Sequence, residues 1–537
     1  MTLESTQTLM ETSAPTVRHR GMLIAGLMIA MLFGALDQTI VGTAMPRIVG
    51  ELGGLGLMTW LTTAYMLTST TVVPIAGKLA DLLGRRVVYL TGLIVFVAGS
   101  ALCGMAQTMP QLIWFRGFQG LGGGIMMPMA MIIIGDLFSG KDRAKWQGVF
   151  GAIFGLSSVI GPQIGGWIVD ALTWRWVFYI NLPVAIAAMI LIALGLPSHS
   201  RKGKVQFDIA GIVTMVVGVV SILLALTFGG KDYAWTSWQI LGLFALAVVA
   251  LALFAVAEQR ASEPIIPLRL FKSRVFTTIN AVGFLMAVGM FGSIMFVPLF
   301  LQGILGISPS TSGTAMTPMM IAMMACSVLG GQLVLKIGVR VQLALGMIIM
   351  AVSFGLLSMI QVSTSGFTVS VYMVILGLGM GLVFPILTIA LQDSFPKSEL
   401  GVVTSSSQFF RQIGGTFGMT ILGAVLNNRS SHVLSEKTAP LFQHLPANNP
   451  ATQQLQTMIH GNAQSLYSSL LSPEALAKMP AQFSQQFVPI LKSSLVTSLH
   501  SVFLWGLAFV LVGTLLTVFV GKVQISNPRK RSQPTEA

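Results

Sequence analysis

The sequence predicts an all-α integral membrane protein, and three observations carry the prediction. Its mean hydropathy is +0.81, and hydrophobic residues make up 54% of the 537 while charged ones make up 9%. A globular chain carries about a quarter charged residues. The apolar residues fall in runs of about twenty, the length a helix needs to cross a bilayer core. Finally, the basic residues sit in short segments between those runs. The formal charge of +14 is therefore spread over loops at a membrane surface, with no long basic arm for nucleic acid.

Fourteen spans are expected. Six lie near 22–43, 59–76, 87–106, 110–131, 147–169 and 176–196, forming an N-terminal six-helix bundle over 22–196. Two additional central-linker helices, near 208–228 and 237–257, fall within 197–275. The last six, near 276–301, 311–333, 342–361, 367–390, 401–426 and 496–520, form a C-terminal six-helix bundle over 276–520. Residues 1–21 and 521–537 are polar tails, and no A-x-A-like cleavage site follows Arg18, His19 and Arg20, so the first span is read as retained. With both tails in the cytoplasm, the inner segments hold 22 of the 31 Lys and Arg. The outer segments then hold Arg47, Arg175, Lys231, Arg429, Lys437, Lys478 and Lys492, while Arg116 and Arg411 lie inside spans. That bias orients the chain. Segment 427–495 is polar, with apolar residues at helical spacing from about 473, and reads as an ordered extracellular cap.

Within this frame a few residues stand out. Gly77-Lys78-Leu79-Ala80-Asp81-Leu82-Leu83-Gly84-Arg85-Arg86 is a basic turn with glycines at both ends and one acid. Gly77 and Gly84 let helix ends approach closely, Arg85 and Arg86 mark the cytoplasmic side, and Asp81 can accept from a helix N-terminus or pair with an arginine. A weaker copy runs from Gly331 to Arg340, with Leu335 in place of the acid. Each copy follows the second span of its six-span block, which argues for an internal repeat.

Asp37 is the acid deepest in any span, about 22 Å along its helix at 1.5 Å per residue. An ionisable group at such a depth is a functional candidate. An apolar setting favours the neutral carboxyl, so proton and cation can compete there; a place nearer the outer interface is the plain alternative. Arg116 is the other buried charge of the first half, and Arg411 a possible site residue of the second. Cys103 and Cys326 lie in apolar runs and read as small buried hydrophobes. The 32 methionines and 31 phenylalanines suit lipophilic cations, although long membrane helices are rich in both anyway.

The turn at 77–86 resembles the signature loop of the major facilitator superfamily. Three further stretches are similar to the fourteen-span drug:proton antiporter family of the EmrB/QacA type. They are Leu36-Asp37-Gln38-Thr39-Ile40-Val41 with Ala44-Met45-Pro46, Arg116-Gly117-Phe118-Gln119-Gly120-Leu121-Gly122, and Gly151, Gly155 and Gly161-Pro162-Gln163-Ile164-Gly165-Gly166. Trp174 to Phe178 and Asn181-Leu182-Pro183 also resemble the family's entry to span six. Gly42 stands where the family usually has an asparagine.

The resemblance implies a major facilitator fold of two six-helix bundles. It implies a proton-coupling and cation site at Asp37 and Arg116, with a relay role for the arginine. It further implies a cytoplasmic gate at Gly77, Asp81, Gly84, Arg85 and Arg86, and a hinge at Gly151, Gly155, Gly161, Pro162, Gly165 and Gly166 that favours export.

The expected function is proton-coupled multidrug efflux of lipophilic, often cationic compounds. A dedicated metabolite exporter or a metal-ion:proton exchanger of the same fold is the alternative. The expected partners are small-molecule lipophilic substrates, protons and the lipid bilayer of the cytoplasmic membrane, with a monomeric chain and no cofactor, metal site or nucleic acid. An enzyme or receptor is disfavoured, because the six histidines lie in tails, loops or at a span edge and no Walker loop is present.

Overall fold

The structure, a computed structural model, describes residues 20–53, 57–138, 140–197, 207–230, 233–307, 309–443, 481–521 and 523. Inside a bilayer every backbone N–H and C=O must be satisfied within its own segment, and long apolar runs therefore fold as helices. Among the described residues the secondary structure is helical apart from one isolated bridge between Gly229 and Tyr233. Among the described residues, eleven helices are long and apolar enough to cross a membrane.

The first half contains α1 (Arg20–Leu52), α2 (Met58–Leu83), α3 (Arg85–Met105), α4 (Met109–Leu137), α5 (Gly140–Ala171), the single turn α6 (Trp176–Tyr179) and α7 (Asn181–Gly195). A pair follows, α8 (Ile209–Phe228) and α9 (Trp238–Arg260). The second half contains α10 (Arg274–Gly303), α11 (Pro309–Ala315), α12 (Thr317–Leu357), α13 (Gly366–Ser394), α14 (Leu400–Gln443) and α15 (Ala481–Thr517). Several helix starts carry side-chain caps. The Asp208 carboxylate accepts from the Gly211 amide at 2.8 Å, placing Asp208 at a helix start as its position suggests.

Each half has its own core, and the two meet where α2 packs on α14 and α5 on α12. The α8–α9 pair lies beside the seam. Met215, Val219 and Leu223 of α8 pack with Val73 of α2 and Phe409 of α14, touching both halves.

Three expectations about local structure need correction. The stretch from Gly77 is not a loop: α2 stays helical through Leu83, and the turn reduces to Gly84 at φ +92° before α3 begins at Arg85. Its weaker copy is likewise a break at one residue, Gly338 at φ +80°, inside the 41-residue α12. Both values lie where a Cβ is strained, which is why glycine stands there. Finally, the first part of the segment from 427 is helix, since α14 runs on to Gln443; 444–480 lies outside the described residues, and α15 begins at Ala481, within the helical spacing expected from about 473.

Candidate functional site

Asp37 sits in the middle of α1 with its side chain wholly excluded from solvent. Three polar side chains from two other helices converge on its carboxylate. Arg116 of α4 donates from Nη1 to Oδ2 at 2.7 Å, while Gln119, one turn on, donates from Nε2 to Oδ1 at 3.0 Å. Asn181, at the start of α7, donates to the same Oδ1 at 2.8 Å. Asn181 opens α7, and Ile180 before it keeps helical dihedrals, so the turn of α6 leads directly into that helix.

A second ring of groups fixes the donors. Gln119 accepts from Arg116 at 2.6 Å and donates to Ser100 of α3, also at 2.6 Å. The guanidinium lies over the Tyr65 ring, 4.4 Å from its centroid, and near the Phe178 ring at 5.7 Å. Arg116 Nε and Asn181 Oδ1 are buried without partners. A buried ion pair survives only when good geometry and added hydrogen bonds offset the loss of water, and here Gln119 and Asn181 add two hydrogen bonds to the carboxylate. Gln119, Asn181, Ser100 and Tyr65 are not among the site residues that the sequence singles out.

A small cavity of about 30 Å³ is lined by Ala30, Gly34, Gln38, Met126, Met127 and neighbouring residues of α1, α4 and α5. Gln38, next to Asp37, is exposed. So is Gly42 on the same helix, where an added Cβ would meet nothing within 4 Å. Toward the Gly84 end the packing tightens. Residues 128–135 of α4, 385–392 of α13 and 400–409 of α14 are buried without interruption.

The Gly84 end is also where hydrogen bonds tie the halves together. Asp81 pairs with Arg85 at 2.5 Å and accepts from the Gly401 and Val402 amides, at 3.2 and 3.0 Å, in the first turn of α14. A helix N-terminus offers unpaired N–H groups and partial positive charge, so a carboxylate fits there. Arg85 also reaches Asp136 at 3.1 Å. Gly77 makes room: a Cβ there would fall 1.9 Å from Ser405 Oγ and 2.6 Å from the Gly401 carbonyl. Arg86 is half-buried in the first turn of α3.

Other links at this end were not foreseen. Arg143 of α5 pairs with Asp393 of α13 at 2.5 Å and donates to the Gly135 carbonyl at 2.7 Å. Gln392 reaches the Met131 carbonyl at 3.3 Å. Lys78 pairs with Glu263, just past α9, at 2.7 Å, and Arg269 with Glu399 at 2.5 Å. These charges line a cavity of about 400 Å³ against Asp81 and Arg85.

Of the expected hinge glycines, Gly161 and Gly165 press α5 onto α1, where a Cβ would fall 2.0 Å from Thr39 Oγ1 and 2.2 Å from Thr43 Oγ1. Thr39 also donates to the Ser157 carbonyl at 3.1 Å. Gly166 faces open space. Gly151, Gly155 and Pro162 belong to α5, but their surroundings lie outside the described residues. Arg411 is buried on α14, donating to Ser407 at 3.1 Å and to Gln408 on its own helix. It does not join the Asp37 cluster.

The comparisons agree with this architecture. The family model described as Major Facilitator Superfamily matches residues 27–419. The multidrug transporter protein MdtP of Bacillus subtilis is 63% identical over 515 residues, covering 96% of this chain and 95% of that one. Multidrug resistance protein 3 of the same organism is 35% identical over 518 residues, 96% and 98% of the two chains. The crystal structure of the human organic anion transporter MFSD10 matches with a TM-score of 0.59 at 13% identity, covering 92% of this chain and 100% of the other; at that identity it speaks to the fold alone. The chain belongs to the Major Facilitator Superfamily and is a multi-pass membrane transporter of small molecules, not an enzyme.

Proposed function

We propose that the protein exports lipophilic, often cationic compounds from the cytoplasm in exchange for protons, by alternating access across the cytoplasmic membrane. The single observation that carries this reading is the Asp37 carboxylate, wholly buried inside a membrane helix and held by Arg116, Gln119 and Asn181. The two Bacillus subtilis relatives, named as a multidrug transporter and a multidrug resistance protein, support the substrate class.

The reading takes α2, α5 and the two parts of α12 on either side of Gly338 as membrane spans. With the eleven apolar helices this makes fourteen, with both termini cytoplasmic and a monomeric chain in the lipid bilayer. The Gly84 end then faces the cytoplasm, and the conformation described is closed on that side. Asp81 and Arg85 latch it, and the α5 glycines let α1 and α5 shift against each other as the halves rock.

A proton arriving at Asp37 removes the charge that its three donors are arranged to hold. Arg116 then loses its counter-charge, a bound cation loses its attraction, and the cluster reorganises. Return of the carboxylate to its charged form restores the site for the next cation. A charge crossing the membrane is worth about 2.3 kcal/mol per 100 mV, so more protons moved in than substrate charges moved out makes export voltage-driven.

Everted membrane vesicles test the reading. Acidifying the lumen is expected to drive ethidium uptake, and Asp37→Asn to abolish it while leaving the purified protein folded. Uptake that ignores the gradient, or coupling that survives Asp37→Asn, sinks it.

A further inference from the structure

Residues 261–273 join α9 to α10 across the Gly84 end of the molecule, with one short 3-10 helix at Leu268–Lys272. Pro264 and Pro267 each fix a φ angle, which stiffens this strap. Its root is held by Glu258 in the last turn of α9, a buried carboxylate whose Oε1 accepts from the Ile265 amide at 2.9 Å. Ile265 and Ile266 then enter a core shared with Val73 of α2 and Phe409 of α14. Leu270 belongs to the core of the second half. The Phe271 ring meets Phe276 of α10 and Phe410 of α14, at 5.2 and 6.1 Å between centroids.

The charges of the strap divide between the halves. Arg269 pairs with Glu399, just before α14, and the chain runs on into α10, so the far end moves with the second half. Glu263 instead pairs with Lys78 of α2, three residues before Asp81. The Lys78 and Glu263 side chains are 13% and 31% exposed, so water screens this pair less than a fully exposed one. Both Lys78–Glu263 and Asp81–Arg85 line the cavity of about 400 Å³, as two separate links. Moving α2 away from the first turn of α14 breaks the Asp81 bonds, and it also pulls Lys78 from a stiff segment anchored in the second half.

We propose that the strap is a second latch on the gate, supplied by the central helix pair and independent of Asp81. The Lys78–Glu263 pair holds α2 against the second half and favours the closed Gly84 end. Helix α9 turns Val248, Val249 and Leu253 outward, and its part in the cycle is to carry and root the strap. The proposal rests on the reading of the Gly84 end as the closed cytoplasmic gate, but its test uses neither gradient nor substrate.

The test is amide hydrogen exchange in the first turn of α14, where Gly401 and Val402 donate to Asp81 in the closed gate, on the purified full-length protein in nanodiscs. Glu263→Gln is expected to raise exchange about threefold, and Glu263→Lys, which sets two cations against each other, about tenfold. Lys78→Glu is expected to match Glu263→Lys, and the two reversals combined to return exchange to within about twofold of wild type. Lys272→Gln removes an exposed strap charge outside the pair and is expected to change nothing. Should the reversals not fold, Glu263→Gln and Lys78→Gln carry the test, and together they are expected to do no more than either alone. Three results overturn the proposal: unchanged exchange in the Glu263 variants, combined reversals no better than the worse single one, or a rise in Lys272→Gln equal to that in Glu263→Gln. Ethidium uptake that ignores the gradient counts against the export reading alone, and exchange that ignores the Lys78–Glu263 pair against the strap alone.

Discussion

Helices α4 and α13 hold equivalent places in the two halves and share a stretch of sequence. Gly120-Leu121-Gly122-Gly123-Gly124-Ile125-Met126-Met127-Pro128 corresponds to Gly377-Leu378-Gly379-Met380-Gly381-Leu382-Val383-Phe384-Pro385. The packing is copied with the sequence. A Cβ on Gly124 would strike the Ser69 carbonyl at 2.3 Å, and one on Gly381 the Met323 carbonyl at 2.4 Å. Even Asp136 and Asp393 stand at matching places, one bound to Arg85 and the other to Arg143. The charges near the centre are not copied. One turn before the glycines, α4 carries Arg116 where α13 carries Met373, and Leu335 stands where the first half has Asp81. Duplication has kept the scaffold in both halves and confined the Asp37–Arg116 pair and the latching acid to the first.

Four experiments would break or sharpen that contrast. The largest effect is expected from Arg116→Ala, which leaves Asp37 buried without its counter-charge. Losing one member of a buried pair costs about 3–5 kcal/mol, read as a lowered unfolding temperature in detergent. Met373→Ala, the matching change in the second half, leaves no charge stranded, and an equal loss of transport from both would contradict the asymmetry.

Next come the latch residues. Asp81→Asn weakens bonds to two amides and an arginine, and hydrogen bonds to a charged group are worth about 1.5–3 kcal/mol each. Amide exchange in the first turn of α14 should rise about tenfold or more, and Gly77→Ala should do the same by wedging α2 away from Ser405. Unchanged exchange in both variants would mean that Asp81 does not hold the halves together.

A smaller cost follows at the second half's break. Gly338→Ala meets no neighbour within 4 Å but places a Cβ at φ +80° with ψ 163°, a strain of about 1–3 kcal/mol. It should lower thermal stability and leave exchange at α14 untouched; faster exchange there would show that the second break also works the latch.

The smallest effect is expected at Glu51, which lies past the apolar stretch of α1 and pairs with Arg175 while Trp174 donates to it at 2.8 Å. The Arg175 hydrogen bond holds this carboxyl below its ordinary range. The pair's stabilisation is therefore present above the ordinary carboxylate value and lost as pH falls through the lowered one. Glu51→Gln should cost about 0–1 kcal/mol at neutral pH, as exposed pairs do, and nothing in strong acid. A difference from wild type that grows on acidification would reverse the sign of this argument.

How much was legible in the sequence follows from the chemistry of each group. Asp37, Arg116 and Asp81 could be picked out because a charge within or beside an apolar run is rare. Glycines at both ends of a basic turn are equally conspicuous, and Gly77 does lie close against α14 while Gly84 and Gly338 take positive φ. Gln119 and Asn181 lay inside the quoted stretches, yet a neutral amide in a membrane helix gives no sign of what it faces. Ser100 and Tyr65 gave no signal at all. The match of Gly77 with Ser405 and of Arg143 with Asp393 joins residues far apart in the chain, and a single sequence carries no register between such helices. The extent of α14 was missed because the mostly polar residues past Leu426 resemble a loop, although Val433 and Leu434 there are buried; the start of α15 at Ala481 falls within the helical spacing read from about 473.

That extent has a mechanical consequence. At 1.5 Å per residue the 44 residues of α14 form an unbroken rod about 66 Å long, roughly twice the thickness of a hydrocarbon core. Its first turn sits on Asp81, and its far end stands well outside the apolar layer. A tilt of about ten degrees at the first turn would sweep the tip through about 11 Å for a rod of that length. The helix is thus a pointer as well as a span, and a pair of spin labels near Ser435 and on a fixed helix would read the motion of the gate at many times its own amplitude.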